Sequence, residues 1–206
     1  MSRQSTRAFS LIELLVVIGI IAMLVGIATP AFMAINRNSQ LTQAGQTLIE
    51  EFTVARQTAL TKNCVIEVRF YAFASANDNV RRYRAVQSFI VDDNGNATAV
   101  GKARYLPGPV IMDADGEIST LLDTQNAKTN WSDDDPQIPL PGVGTAYDVR
   151  FFQYRPDGST GLSPIGRQWF VTLHNVNSAN NPGQLPNNYY VIQVNPLNGI
   201  VQAYRP

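Results

Sequence analysis

The sequence predicts an α+β fold in which one long N-terminal helix packs on an antiparallel β-sheet. Three observations predict it: residues 9–28 are almost wholly apolar, apolar residues then recur at helical spacing to about Lys62, and β-branched and aromatic residues dominate from Cys64 onward. With 206 residues, the chain has room for one domain with a sizeable core and an appended segment.

The composition argues against several classes of protein. Lys and Arg number 16 and Asp and Glu number 16, so there is no basic excess to indicate a nucleic-acid partner. The 45% of apolar residues argues against wholesale disorder. The single cysteine, Cys64, forms neither an intramolecular disulfide nor a cysteine metal site, and the single histidine, His174, leaves few options for acid–base or metal chemistry.

The start of the chain has the pattern of a membrane-spanning helix. Residues 9–30 number 22, and at about 1.5 Å per residue they span roughly 33 Å, close to the hydrocarbon thickness of a bilayer. Arg3 and Arg7 precede this stretch and no matching basic cluster directly follows it, which predicts a cytoplasmic N-terminus. Glu13 is the only charged residue inside the stretch. Because a carboxylate there is unfavourable unless it is paired, Glu13 is a candidate functional residue.

Three other interpretations of this stretch compete. A cleavable secretory signal would have the same charged start and small residues such as Gly26 and Ala28 before the cut. A plain signal anchor would span the membrane but has no use for Glu13. A buried core helix fits poorly, because the stretch is too uniformly apolar and lies at the very end of the chain.

Residues 8–14, Ala-Phe-Ser-Leu-Ile-Glu-Leu, resemble the cleavage signal of type IV prepilins and type II secretion pseudopilins. That family has a short basic leader, a cut by prepilin peptidase on the cytoplasmic side, an aromatic first mature residue and a glutamate at mature position five. The resemblance implies cleavage between Ala8 and Phe9, N-methylation of Phe9, and pairing of Glu13 with the terminal amine of a neighbouring subunit. Ala8 departs from the glycine that the family mostly has before the cut. Pro30 stands where many pilin helices have a kinking proline.

The expected organisation is a leader over residues 1–8, a transmembrane helix over 9–30, an amphipathic continuation of the helix over 31–62 and a β-rich globular domain over 63–206. In the continuation, apolar or small residues share one helical face and polar residues lie opposite. The apolar set is Phe32, Ile35, Leu41, Gly45, Leu48, Phe52, Ala55 and Ala59. We expect this face to pack on the sheet.

Segments with the composition of β-strands are residues 64–73, 83–91, 97–106, 109–112, 147–154, 168–173, 189–194 and 200–204. Turn sequences separate several of them, notably Arg155-Pro156-Asp157-Gly158 and the 195–199 stretch before a terminal hairpin. Long loops are expected near 113–146 and 175–188. One antiparallel sheet on the second half of the helix would cover the apolar faces of both elements.

The whole layout is similar to that of the H-type minor pseudopilins and the FimT/FimU-type minor pilins, the GspH/FimT class with a type IV pilin-like fold. Segments over nearly the whole chain, among them RRYRAVQSF, WFVTLHN and NPLNGIVQAYRP, resemble a narrower group, the Verru_Chthon cassette protein D family. The chain has no C-terminal cysteine pair, which favours a minor subunit over a major pilin.

Tests for catalytic, cofactor and metal chemistry find no matching motif. The stretch 95–102 does not have the spacing of a phosphate-binding loop. His174 lies in a strand-like segment without a nucleophile elbow, and we expect a hydrogen-bonded histidine near a strand end. The acidic stretches 113–117 and 133–135 do not match the spacing of the helix-loop-helix calcium site and are interpreted as solvated loops.

The densest basic cluster is Arg81, Arg82 and Arg84 around Tyr83. Some FimT-type pilins bind DNA through basic residues. Strand alternation would place Arg82 and Arg84 on one face of the sheet and Arg81 with Tyr83 on the other. Three arginines in a charge-balanced chain are weak evidence for binding to nucleic acid.

The sequence therefore predicts a minor pseudopilin or minor pilin that acts as a structural and assembly subunit of a type II secretion or type IV pilus-like filament, and not an enzyme. The resemblance implies four partners: prepilin peptidase, other pilin-like subunits contacted through the N-terminal helix, an inner-membrane assembly platform and the lipid bilayer. It also implies a single pass through the bacterial inner membrane, with the C-terminal domain periplasmic or in an extracellular filament. The alternatives are a membrane-tethered ligand-binding β-domain, including a DNA-binding pilin of the FimT type, and an anchored hydrolase.

Overall fold

The computed structural model describes residues 10–75, 78–123, 136–178 and 185–206. The chain forms two compact units, Met1–Ser39 and Gln40–Pro206. Helix α1 (Leu11–Lys62) contributes to both units. It is continuous through position 30, and the kink at Pro30, whose side chain lies outside the described residues, stays a prediction.

In the first unit, every described side chain of α1 up to Ser39 is exposed. In the part of the chain that the structure describes, α1 is the one helix that is long and apolar enough to cross a membrane. Its apolar surface has no water-excluding cover in a single chain, which is the property expected of a segment whose surroundings are lipid or other helices.

In the second unit, α1 buries one face against the sheet. The buried apolar or small positions follow the helical repeat and are Leu41, Ala44, Gly45, Leu48, Phe52, Ala55 and Ala59. The prediction that the buried apolar face begins at Phe32 is wrong, because Phe32 and Ile35 are 75% and 66% exposed and the buried face begins at Leu41. Both residues belong to the first unit, where no described side chain is buried, so their helical spacing reflects something other than packing on this sheet.

The helix ends in a left-handed cap. Asn63 has a φ of 50°, and the N–H of Cys64 donates to the carbonyl oxygen of Ala59 at 3.3 Å. Asparagine tolerates this conformation better than most residues, and the bond satisfies a carbonyl group that the last helical turn leaves open. The chain then turns directly into the first strand.

The described residues of the second unit form nine strands in one sheet. They are β1 (Val65–Ser75), β2 (Asp78–Val91), β3 (Ala97–Ala99), β4 (Arg104–Tyr105), β5 (Val110–Met112), β6 (Asp148–Tyr154), β7 (Trp169–Asn175), β8 (Tyr189–Val194) and β9 (Val201–Tyr204). Short 3₁₀ turns occur at Thr120–Leu122 and Val176–Ser178.

All neighbouring strands are antiparallel, in the order β6-β1-β2-β5-β7-β8-β9, with β3 and β4 paired to β2. The α+β fold class is therefore confirmed. The segment 97–106 differs from the single strand that its composition suggests, because β3 and β4 pair with separate parts of β2. The register of the β1–β2 hairpin shifts between Tyr71 and Ala72, and the alternation of faces is broken along β2, where Tyr83 and Val86 belong to the same apolar cluster.

The face of the sheet that contacts α1 holds the main core. Phe52 of α1 meets the rings of Phe70 and Phe152 edge-on, with centroids 5.9 Å and 5.5 Å apart. All three side chains are buried, and edge-to-face aromatic pairs add to the free energy gained by removing the rings from water. This cluster attaches the helix to the domain.

The opposite face is covered by part of the long predicted loop. Tyr71 and Phe73 lie there with Leu140, Tyr147 and neighbouring side chains in a second apolar cluster. The Tyr71 and Tyr147 rings are 5.0 Å apart, and the Tyr147 hydroxyl donates to the carbonyl oxygen of Ile138 at 2.6 Å. The second half of the loop expected near 113–146 is thus a packed cover on the sheet.

Candidate functional site

Glu13 and Ser10 form a hydrogen-bonded pair at the start of α1. The Ser10 N–H and hydroxyl donate to Oε2 of Glu13 at 2.9 Å and 2.8 Å, and the Glu13 N–H donates to Oγ of Ser10 at 3.3 Å. A serine before the first helical turn with a glutamate three residues later is a capping box. The pair satisfies N–H groups that have no partner inside the helix.

The capping box gives Glu13 a role that the sequence analysis missed. The signal was present as Ser10-Leu11-Ile12-Glu13 directly before the apolar run, the Ser-x-x-Glu spacing that predicts such a cap. The cap accounts for the residue type at position 13 through helix stability alone. It is also compatible with a second role, because both bonds to the carboxylate end on Oε2.

Hydrogen bonds from Ser10 do not cancel the charge of Glu13. The contacts that the described residues make with the Glu13 carboxylate include no cation, and a lone ion in or near a hydrocarbon layer is strongly unfavourable. The side chain is exposed on the single chain, so a cation from another molecule can reach it. The geometry therefore presents an anion at the first turn of an apolar helix.

The other predicted processing residues, Ala8 and Phe9, lie outside the described residues. The cut between them and the methylation of Phe9 stay predictions. The structure brings Glu13 together with Ser10, which was not a predicted site residue. Of the predicted site residues that the structure describes, Pro30 lies about 4.7 turns further along the helix.

The basic cluster does not form a continuous exposed surface. Arg81 is exposed and pairs with Asp148 at 2.7 Å, whereas Tyr83 and Arg84 are buried. Arg82 and Arg84 line the same recess. Since one arginine is neutralised at the surface and another is buried, the cluster lacks the open row of cations that a nucleic-acid backbone requires.

His174 is buried, with 1% of its surface exposed, and is hydrogen-bonded at the end of β7. Its Nε2 lies 2.8 Å from Oδ2 of Asp113 and its Nδ1 lies 3.0 Å from the carbonyl oxygen of Asn175. Among the described residues, no three His, Cys, Asp or Glu side chains converge as a metal site would require. The acidic stretch 133–135 lies outside the described residues.

Polar contacts also fix α1 on the sheet. Glu51 accepts a hydrogen bond from the hydroxyl of Ser88 at 2.6 Å, and Arg104 reaches Glu50 at 2.9 Å and Glu51 at 3.2 Å. Near the helix end, Nε of Arg56 donates to the carbonyl oxygen of Asn198 at 2.7 Å. These contacts set the position of the helix along the sheet, which apolar packing alone defines less sharply.

Comparison with known proteins identifies a motif at the start of the chain. Residues 3–29 match the model of the prokaryotic N-terminal methylation motif. The matched range includes Ala8, Phe9 and Glu13, so the resemblance of this segment to prepilins is confirmed at the level of the motif. The resemblance to the Verru_Chthon cassette protein D family stays a prediction.

Solved structures with a similar course of the chain include two pilin-like proteins. The minor pseudopilin EpsH from the type 2 secretion system of Vibrio cholerae is 9% identical, with a TM-score of 0.44, covering 81% of this chain and 98% of that one. The type IV minor pilin FimU of Pseudomonas aeruginosa is 11% identical, with a TM-score of 0.47, covering 82% and 93%. No curated protein matches the sequence. At these identities, no residue role is transferred from either structure.

Proposed function

We propose that this chain is a minor pseudopilin or minor pilin, a structural and assembly subunit of a type II secretion or type IV pilus-like filament. The observation that carries the proposal is the N-terminal methylation motif at residues 3–29. The helix that begins inside this motif continues to Lys62 and buries its last turns against a sheet domain. One helix thus supplies both an apolar stem and the attachment of the folded domain, and the role requires no catalytic residue.

Processing is the first step of the proposed role. Prepilin peptidase cuts between Ala8 and Phe9, which removes Arg3 and Arg7 and creates a new amino group on Phe9. That amine becomes methylated and remains cationic. It then lies four residues before Glu13, at the same end of an apolar helix.

Assembly uses the charge of Glu13. A cationic terminal amine of one subunit and the Glu13 carboxylate of its neighbour compensate each other in a medium of low dielectric constant, where either ion alone is strongly unfavourable. Ser10 keeps the carboxylate at the helix start through the capping box. The pairing therefore favours helices aligned at a defined offset.

The membrane placement follows from the same segment. The apolar part of α1 spans the inner membrane with the basic leader on the cytoplasmic side, and the sheet domain lies on the other side. An assembly platform in that membrane is the partner that extracts the subunit into a filament.

Replacement of Glu13 tests the assembly role. Glu13→Ala is expected to abolish recovery of the chain in sheared filaments or in detergent-stable oligomers, while limited proteolysis and circular dichroism show an intact sheet domain. Asp93→Ala is the control, because it removes an exposed carboxylate from a turn of the sheet domain. Normal incorporation of Glu13→Ala into filaments would contradict the proposal.

A further inference from the structure

Residues 113–123, here called the strap, complete one edge of strand β7. Strand β5 pairs only with residues 173–175 of β7, so the edge before them has no neighbouring strand among the described residues. Side chains of the strap take its place: Oγ of Ser119 accepts the N–H of Thr172 at 3.0 Å, and Oγ1 of Thr120 accepts the N–H of Phe170 at 2.8 Å. The hydroxyl oxygens of one serine and one threonine thus accept the hydrogen bonds that the carbonyl groups of a neighbouring strand would otherwise accept.

The strap is anchored at both ends. At its start, the N–H of Asp113 donates to the carbonyl oxygen of Thr172 at 2.9 Å, and the Asp113 carboxylate meets His174 at 2.8 Å. At its end, Arg167 donates to Asp123 at 2.6 Å and to the carbonyl oxygen of Gly116 at 3.1 Å. Only the first anchor contains a group that titrates near neutral pH.

The surroundings of the His174 ring specify its protonation state. Both ring nitrogens face oxygens that only accept hydrogen bonds, namely the Asp113 carboxylate and the backbone carbonyl of Asn175. A neutral imidazole has one N–H and would leave one nitrogen lone pair opposite an oxygen, whereas the imidazolium donates to both. The buried site is therefore built for the charged ring.

Several charged and titratable groups face His174 from the neighbouring elements. Burial lowers the pKa of His174, but the hydrogen bond from the ring to Asp113, the bond to Asn175 and the charge of Asp113 raise it further than burial and Arg82 lower it. Tyr189 of β8 is its direct partner across the ladder. The side chain of Asp115 is engaged locally, accepting the N–H of Glu117 at 2.9 Å.

The pKa of Asp113 is shifted in the opposite direction to the pKa of His174. Burial raises the pKa of Asp113, and the bonds from His174 and from the N–H groups of Asp115 and Ala114 lower it below its ordinary value. The carboxylate is thus charged at any pH where His174 can lose its proton.

We propose that imidazolium His174 is a pH-sensitive latch. Its deprotonation removes the positive charge beside Asp113 and leaves one ring nitrogen without a proton opposite an acceptor oxygen, which favours release of the strap from the edge of β7. The folded-state pKa of His174 lies above its ordinary 6.5. The latch is therefore fully closed below pH 6.5 and is lost as pH rises through the folded pKa. Between pH 6.5 and that value the equilibrium constant for strap opening rises by up to about tenfold per pH unit, and above it the constant no longer changes. This proposal does not depend on filament assembly.

The titration of His174 is directly measurable, because the chain has one histidine. The full chain is purified in detergent with a tag that contains no histidine, and the imidazole ¹⁵N resonances are followed from pH 5 to 9. We expect both nitrogens to be protonated at pH 6.5 and the midpoint to lie above it. A neutral ring at pH 6.5 would overturn the latch.

Hydrogen exchange shows whether the proton controls the strap. After correction for intrinsic rates, the Phe170 and Thr172 amides should lose protection as pH rises from 6.5 to the His174 midpoint, while the Phe70 amide in β1 should not. Asp113→Asn should shift the midpoint to 6.5 or below. Equal protection of the Phe170 and Thr172 amides at pH 6.5 and above the midpoint would overturn the proposal.

Two variants separate the latch from ordinary anchoring. His174→Gln cannot titrate, so the pH dependence of strap exchange should disappear. Arg167→Gln removes the opposite anchor, so exchange should be faster at every pH while its dependence on pH remains. A pH dependence that persists in His174→Gln would assign the effect to another group and overturn the proposal.

Discussion

At the scale of single residues, Glu13 has two separable properties, its place in a capping box and its charge. Glutamine at the third helical position also closes a capping box, whereas alanine does not. Glu13→Gln should therefore keep the helix start and remove only the charge. We predict that Glu13→Gln is absent from filaments to the same degree as Glu13→Ala. Quantitative immunoblotting of sheared filaments measures the incorporation of both variants.

Ser10→Ala is the complementary change, since it removes the cap and keeps the charge. The loss of an N-terminal serine cap destabilises a helix by about 1 kcal/mol. We expect reduced but clear incorporation of Ser10→Ala into filaments. Complete loss of assembly in Ser10→Ala together with full assembly of Glu13→Gln would assign the role of Glu13 to capping instead of charge pairing.

The sequence predicted residues at this scale unevenly. His174 was expected as a hydrogen-bonded histidine near a strand end, because its strand-like flanks are local in sequence, and the structure places it there. Its partner Asp113 is 61 residues away and could not be identified from spacing. The Ser10–Glu13 cap is predictable from the local Ser-x-x-Glu spacing, although that spacing does not show whether Glu13 also has a second role.

At the scale of elements, helix α1 has an exposed apolar segment before Gln40 and a buried apolar face from Leu41 onward. The apolar residues Phe32 and Phe52 occupy similar patterns in the sequence, yet Phe32 is 75% exposed and Phe52 is fully buried. Phe52→Ala should destabilise the sheet domain by about 3–5 kcal/mol, because it leaves a cavity beside Phe70 and Phe152.

Phe32→Ala should leave the stability of the sheet domain unchanged and should weaken assembly, since this side chain has apolar surface to offer to a neighbouring subunit. Urea denaturation followed by tryptophan fluorescence in detergent measures both variants. A destabilisation of 2 kcal/mol or more in Phe32→Ala would show that the residue packs on its own domain.

Gly45 marks a close approach of α1 to the sheet. A Cβ at this position would lie 2.7 Å from the ring of Tyr190, which is itself buried. Gly45→Ala gains up to about 1 kcal/mol in helix propensity, but forcing the buried ring aside costs about 1–3 kcal/mol.

We therefore predict a lower urea midpoint for Gly45→Ala. Gln46→Ala on the exposed side of the helix is the control and should show no decrease. A higher midpoint for Gly45→Ala than for the parent chain would mean that the Tyr190 ring moves freely.

The elements were predictable where the pattern is local. The period of 3.6 residues located the buried face of α1 from Leu41 onward, and β-branched and aromatic runs located the main strands. The start of that face was misplaced because apolar spacing does not reveal what covers it. The strap over β7 and the packed loop over Tyr71 depend on contacts distant in sequence, which no local pattern encodes.

At the scale of the whole molecule, the chain has two units, one with an exposed apolar helix segment and one with the sheet domain. In a single chain the described apolar side chains of the first segment are exposed. Lipid and neighbouring helices are the two environments that would remove this apolar surface from water. The proposed function orders the events as membrane insertion, cleavage, methylation and then exchange of lipid contacts for helix contacts.

The most direct test of this account is the intact mass and N-terminal sequence of the chain recovered from bacterial membranes. Processing as a prepilin predicts a chain that begins at N-methylated Phe9 and lacks the eight leader residues. A chain that still begins at Met1, or that begins after Ala28, would contradict the account and leave a tethered or secreted β-domain in its place.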